Sequence, residues 1–260
     1  MSGLFASTKI DFLSINWNTK SVKSMKYMFS NMHFLIRISF ENFDTSNVVT
    51  MEGMFLGCSG IRTIDLSKFN VEKVESFENF MADCFQLDYL YISNFITKSA
   101  KTMKNMFYNC LYLTSIDISN FDTSQVTDMS NMFSNCYNIK SLNFSSFKTS
   151  NVVDMSGMFS NCWLTELDLK NFDTRNVEDM SMIFFEMEKI TSLDISSFIV
   201  DKVKSMYQMF KGCKVLESVD LSNFNTESCT DISEMFSGCE KLMSLNLSYF
   251  NTKKVKNMNM

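Results

Sequence analysis

At 260 residues the chain has room for two ordinary domains, yet with 7 Gly and no Pro it contains no linker that would separate them. A hydrophobic content of 45% argues against disorder, and a net charge of −5 gives no electrostatic footprint for nucleic acid. No apolar run approaches the length of a membrane span, and Met1 to Lys9 lack the basic and long apolar regions of a signal peptide.

Residues 1–24 read as an irregular first unit, an N-terminal cap or partial repeat. Trp17, Thr19 and Val22 fall on columns that recur later, whereas Phe12-Leu-Ser-Ile15 fits them only with a one-residue insertion. From residue 25 a regular array begins. Its units start at Met25, Met51, Phe77, Met103, Met129, Met155, Met180, Met206 and Ile232, with a truncated tenth at Met258. The step is 26 residues throughout, except for 25 between Met155 and Met180. A fixed period of this size predicts one stacked solenoid over 25–260, in which each unit touches only its neighbours.

Each unit has two halves. The motif Val126-x-x-Met129-x-x-Met132-Phe133 places its apolar residues on one face of one or two helical turns, which predicts a short helical segment. The motif Leu113-x-x-Ile116-x-Ile118 ends in period-two alternation, which predicts a short parallel strand with one buried face. Between them, the residue preceding the Cys column is Gly, Asn or Asp in eight of nine units, from Asn31 to Gly238, with Glu186 the exception. These residue types tolerate the left-handed conformation that ends a helix. A Phe column from Phe43 to Phe250 is followed two residues later by Thr, replaced only by Val71 and Val200. That parity turns Thr inward or makes it a cap, which argues against an exposed ice-binding Thr row.

The stretches Leu-Thr-Ser-Ile-Asp-Ile-Ser-Asn-Phe-Asp-Thr-Ser (113–124) and Val-Thr-Asp-Met-Ser-Asn-Met-Phe-Ser-Asn-Cys (126–136) resemble the 26-residue repeat of bacterial surface proteins, a BspA-like relative of the leucine-rich repeats. The resemblance covers nearly the whole chain. It implies an α/β, leucine-rich-repeat-like, right-handed solenoid with one short parallel strand and a short helical segment per unit. It also implies a place on a cell surface or virion, and a role in adhesion or partner binding rather than catalysis.

Side-chain chemistry is sparse. Seven of the 8 Cys share one column, in which Met32 and Met187 also stand, and stacking at about 4.7–4.9 Å favours buried free thiols over disulfides or a metal. An Asp/Asn file that includes Asp168, Asp194 and Asp220 brings calcium to mind, but no Gly-rich calcium repeat accompanies it, so no metal or cofactor is expected. The single His, His33, has no triad or zinc partners, so no catalytic residue is nominated.

The turn after the Cys column departs from the scaffold. Its first residue is charged in the later units, Glu188, Lys214 and Glu240, but becomes Phe85, Leu111, Tyr137 and Trp163 in four successive earlier ones. Tyr112 joins the turn, and Tyr89 and Tyr91 add aromatics to the adjoining strand. In register these residues form a stripe roughly 15 Å long. Either the stripe is exposed and binds a partner, or the turn folds back and buries it. The chain therefore reads as a non-enzymatic module that recognises a protein or glycan. The alternative is a structural assembly component of a viral or cell-surface layer, stacking end to end through its uncapped face.

Overall fold

A computed structural model describes residues 2–259. Met1 and Met260, the outer limits of the expected spans 1–24 and 25–260, lie outside the described residues.

Two ladders of parallel backbone pairing run along the stack. One contributes a single residue per unit and is continuous: Ser24, Thr50, Ser76, Thr102, Asp128, Asp154, Asp179, Ser205, Asp231 and Asn257 pair in turn. The other is built of short strands, β1 (Phe12–Asn16), β2 (Arg37–Glu41), β3 (Thr63–Asp65), β4 (Tyr89–Tyr91), β5 (Ser115–Ile116), β6 (Ser192–Leu193) and β7 (Ser218–Val219). They form parallel sheets β1-β2, β3-β4-β5 and β6-β7. Among the described residues the fifth, sixth and ninth units carry no strand, and the one-residue deletion after Trp163 lies in the sixth. β1 pairs with β2 at an offset of 25, Phe12 opposite Arg37, so the irregular register of the first residues is visible in the pairing.

The short helical segment is a correction: no helix occurs among the described residues. In the fifth unit, alternate amides donate across to the sixth, Met129 to the Asp154 carbonyl at 2.9 Å, Asn131 to Ser156 at 2.8 Å and Phe133 to Met158 at 3.1 Å. The intervening amides close four-residue turns, Met132 to Met129 and Ser134 to Asn131. Each unit has two left-handed residues four apart, such as Asn131 (φ 53) and Asn135 (φ 61). An α-helix would use i→i−4 bonds and right-handed φ throughout. Tandem four-residue turns repeat every 4 residues instead of 3.6, and over two turns the buried set Met129, Met132, Phe133, Cys136 fits both. Alternate hydrogen bonds therefore join units, and those between them close turns within one unit.

Of the two left-handed columns, the one before Cys is where the residue types place it, from Asn31 (φ 58) to Gly238 (φ 75). The other holds Tyr27, Met182, Gln208 and Glu234 beside Asn and Gly, so composition conceals it. At Gly53 the conformation is coupled to space, because a Cβ there would lie 2.1 Å from the Tyr27 ring.

The core is a set of files running along the stack. Phe107, Phe133, Phe159, Phe184, Phe210 and Phe236 stack at centroid spacings of 5.5 to 6.4 Å. Full burial of each such ring contributes about 1.5–3 kcal/mol. The Thr column is buried, and it stitches units together. Thr149 Oγ1 donates to the Asp173 carbonyl at 3.1 Å and accepts from the Asp173 amide at 2.8 Å. Buried Thr is no exposed row. Each Cys in the main column donates its thiol to a carbonyl of the preceding unit, as Cys136 does to Phe107 and Cys110 to Met81, both at 3.2 Å. Burial raises these thiols, Cys162 to about 12, so they stay protonated and unreactive.

At the start of the chain, Gly3, Phe5 and Ser7 donate to carbonyls of the first unit, and Phe5 stacks on Phe29 at 5.7 Å and on Trp17 at 5.6 Å.

Candidate functional site

Inward-facing columns are alike in every unit, so distinct chemistry has to come from the strand face and the turn that feeds it. On β4, Leu90 points into the core while Tyr89 (48% exposed) and Tyr91 (53%) stand outward. Phe85, Tyr112 and Trp163 are exposed, and Leu111 and Tyr137 are half-buried. The turn does not fold back over all of them.

Tyr137 and Trp163 meet edge to face at 5.3 Å, and the Lys189 ammonium sits 5.5 Å from the Trp163 ring. The Tyr137 hydroxyl lies 3.4 Å from Asn135 Oδ1, and partial burial raises its pKa, followed by the charges of Glu186 and others. Tyr89 and Tyr91 share one face of β4. Among the described residues Phe85, Tyr89, Tyr91 and Tyr112 make no ring-to-ring contact, so the stripe is a row of separate rings rather than one cluster.

Further exposed apolar residues lie outside the sequence-based stripe, among them Phe12 (58%), Phe34 (57%) and Ile36 (54%) near the start and Met243 and Tyr249 in the last unit. For those near the start, the signal existed at the second position of the first unit's turn, beside His33, and at the odd positions of Phe12-Leu-Ser-Ile. Phe12, Phe34 and Ile36 extend the aromatic side toward the start of the array. One depression is lined by His33, Phe34, Ile36, Gly60, Arg62 and Gln86, and the next by Arg62, Gln86, Asp88 and Tyr112. Arg62 and Gln86 belong to both, with Arg62 Nε donating to Gln86 Oε1 at 3.4 Å, so two adjoining depressions divided by this bridge form a groove across the first four units. Gly60 forms its floor, since a Cβ there would approach the His33 carbonyl to 2.7 Å. His33 reaches Ser59 at 3.4 Å.

Carboxylates line the outer strand face. Asp65 Oδ1 accepts the Ser67 amide at 2.9 Å, and Asp117 Oδ1 accepts the Ser119 amide at 3.0 Å and its hydroxyl at 2.6 Å. Those hydrogen bonds hold both carboxyls below the usual Asp range, and Asp194 and Asp220 likewise. No group of three or more His, Cys, Asp or Glu among the described residues is arranged to hold a metal ion. Among the described residues no helix is long and apolar enough to cross a membrane.

Parallel pairing, a repeating inward Leu, Phe and Cys set and a variable outer strand face define a leucine-rich-repeat-like solenoid. A leucine-rich repeat protein from Bacteroides ovatus has the same fold, with TM-score 0.55 and 16% identity, covering 92% of this chain and 64% of that protein. The chain thus spans less than two thirds of that relative's length. A leucine-rich repeat protein from T. pallidum is also similar, with TM-score 0.37 and 15% identity over 90% of this chain and 79% of its own. So is a leucine-rich cell surface protein from Faecalibacterium prausnitzii, with TM-score 0.35 and 12% identity over 97% and 88%. No curated protein matches the sequence. The chain belongs to the family described as "Mycoplasma protein of unknown function, DUF285", which matches residues 1–112, 86–193 and 158–260. The resemblance to BspA-like leucine-rich repeats holds.

Proposed function

We propose that the chain is a non-enzymatic recognition module that binds a protein or glycan partner, at a cell or virion surface, through the groove and stripe of its first six units. Phe85, Tyr89, Tyr91, Leu111, Tyr112, Tyr137 and Trp163 form the contact surface, with Phe34 and Ile36 added by the groove. One observation carries this reading. The inward columns stay apolar along the array, whereas exposed aromatic rings stand on the turn and strand face of the early units, at Phe34, Phe85, Tyr89, Tyr91, Tyr112 and Trp163; the last unit exposes Met243, Leu247 and Tyr249 instead. At the same turn position Glu188 and Lys214 form an ion pair at 2.5 Å in the later ones. Exposed apolar patches of this kind mark interaction sites, and Tyr and Trp are favoured anchors. No cofactor is needed for this role, and a net charge of −5 disfavours nucleic acid. Residues 1–24 act as the cap of the array.

The test uses the purified chain on arrays of surface glycans and proteins. Tyr137→Ser with Trp163→Ser should abolish capture while costing less than about 1.5 kcal/mol, the scale of one aromatic pair. Capture unchanged by the double substitution would defeat the reading. A second reading, end-to-end self-association, is favoured by an apolar depression lined by Ile232, Met235, Phe236, Leu245, Leu247, Phe250 and Met258. Light scattering that shows a strictly monomeric mass at high concentration would remove it.

A further inference from the structure

The strand face of the second to fourth units combines an aromatic pair with fixed negative charge. β4 lies between β3 and β5, with Thr63 opposite Tyr89 and Tyr89 opposite Ser115, and with Asp65 opposite Tyr91. Asp117 follows Ile116 on the other side of Tyr91. Neighbouring strands in a sheet lie about 4.8 Å apart, so the Tyr91 ring stands between two carboxylates one strand spacing away on either side. Each carboxylate uses Oδ1 to hold its own Ser, which fixes its position and leaves Oδ2 free toward solvent. Tyr91 is 53% exposed, and its side chain has no partner among the described residues. Basic groups on this side are Lys68, close enough to lower the Asp65 pKa, Arg62, which precedes β3 and bonds Gln86, and Arg37 on β2. Farther along, the same column continues with Asp168, Asp194 and Asp220.

An aromatic face attracts a cation through its quadrupole, and flanking carboxylates add an ion pair on each side. An anionic partner would be repelled by the same groups. A neutral apolar partner would use the rings and leave the charges idle.

We propose that Asp65, Tyr89, Tyr91 and Asp117 capture a lysine- or arginine-rich polypeptide segment. This rests on the recognition reading above and assigns its partner class. One cationic side chain lies over Tyr91 between the two carboxylates, and its alkyl stem packs on Tyr89. The Asp column beyond holds further basic residues loosely and raises the association rate.

Calorimetry with a Lys-Gly repeat peptide, and with Gln-Gly and Glu-Gly counterparts of equal length, tests the assignment. The Lys-Gly peptide should bind and weaken as salt rises, the Gln-Gly peptide should bind less well and the Glu-Gly peptide not at all. Tyr91→Ser should weaken Lys-Gly binding about fivefold, on the scale of an exposed cation–aromatic contact. The pair Asp65→Asn with Asp117→Asn should weaken it about fivefold as well. The Asn side chains keep the Oδ1 acceptor, so a single cooperative melting transition, lowered only by the lost carboxylate hydrogen bonds, confirms that the fold is intact. No Lys-Gly binding by the native chain overturns the cationic assignment, and so does equal binding of Lys-Gly and Gln-Gly. In either case, loss of array capture in the Tyr137→Ser, Trp163→Ser chain would leave the recognition reading standing. Lys-Gly binding that survives both the Tyr91 and the Asp substitutions overturns the proposal, and unchanged array capture alongside it overturns the recognition reading too.

Discussion

The third and eighth units bury the same columns and differ outside. The buried columns hold Phe77, Phe80, Met81 and Cys84 in the third and Met206, Met209, Phe210 and Cys213 in the eighth, and both units close their turns on left-handed residues, Asn79 and Asp83 in one, Gln208 and Gly212 in the other. At the position after Cys, the third unit exposes Phe85 and the eighth carries Lys214, bonded to Glu188. On the strand face, Tyr89 and Tyr91 correspond to Ser218 and Asp220 by the repeat. Burial dictates what repeats, and solvent-facing positions are free to differ. A protein built this way can change its partner without changing its fold, and function is read from the departures.

If that division is sound, a core truncation should cost the same in either half. Phe107→Ala and Phe210→Ala each remove a fully buried ring stacked at 5.5 Å on the next. Each should lower unfolding free energy by about 3–5 kcal/mol in denaturant titration. A large inequality would show that the two halves differ in packing as well as in surface.

A smaller, matched loss is expected from the Thr column. Thr45 Oγ1 donates to the Asn70 carbonyl and accepts its amide, both at 2.8 Å. Thr226 does the same with Asn251, at 3.1 and 2.8 Å. Thr45→Val and Thr226→Val keep the shape but remove two part-buried hydrogen bonds, which costs about 0.5–1.5 kcal/mol each. Equal losses measured for the two variants would show that this bridge serves the scaffold alone.

The smallest effect concerns charge along the continuous one-residue ladder. Asp154 lies between Asp128 and Asp179, and its pKa is raised, chiefly by burial and then by those two neighbours, against the Ser156 hydrogen bonds that lower it. A carboxyl with a raised native pKa weakens the fold as pH climbs through that value. Asp154→Asn should therefore raise the thermal midpoint at pH 7, with the gain shrinking in acid, where Asp154 is protonated. Asp65 and Asp117 have the opposite sign. Their lowered pKa values stabilise the fold above the ordinary Asp range, and that contribution is lost as pH falls through the native values.

Much of this was legible in the sequence because burial repeats. The unit period, the inward Phe and Thr columns, the parallel stack and the left-handed residue before Cys each recur often enough to be read from residue type. The helical segment was misread for a physical reason: two tandem turns produce the apolar spacing of two helical turns, and the deciding hydrogen bonds run to another unit. The left-handed column at Tyr27, Met182, Gln208 and Glu234 was hidden because inter-unit hydrogen bonds hold those residues in a conformation they do not prefer. Among the described residues the fifth, sixth and ninth units keep the apolar alternation of the motif yet carry no strand, which residue type alone does not reveal. Exposure of the stripe was one of two open outcomes, and the groove from Phe34 to Tyr112 depends on the approach of neighbouring turns over Gly60.

The separation of scaffold from recognition surface is tested most directly by hydroxyl-radical footprinting of the native chain with and without the Lys-Gly peptide. Protection confined to Tyr89, Tyr91 and their neighbours on β3 and β5, with the turns at Glu188, Lys214 and Glu240 unchanged, is the predicted result. Protection spread evenly along the array, or confined to the later units, would contradict it.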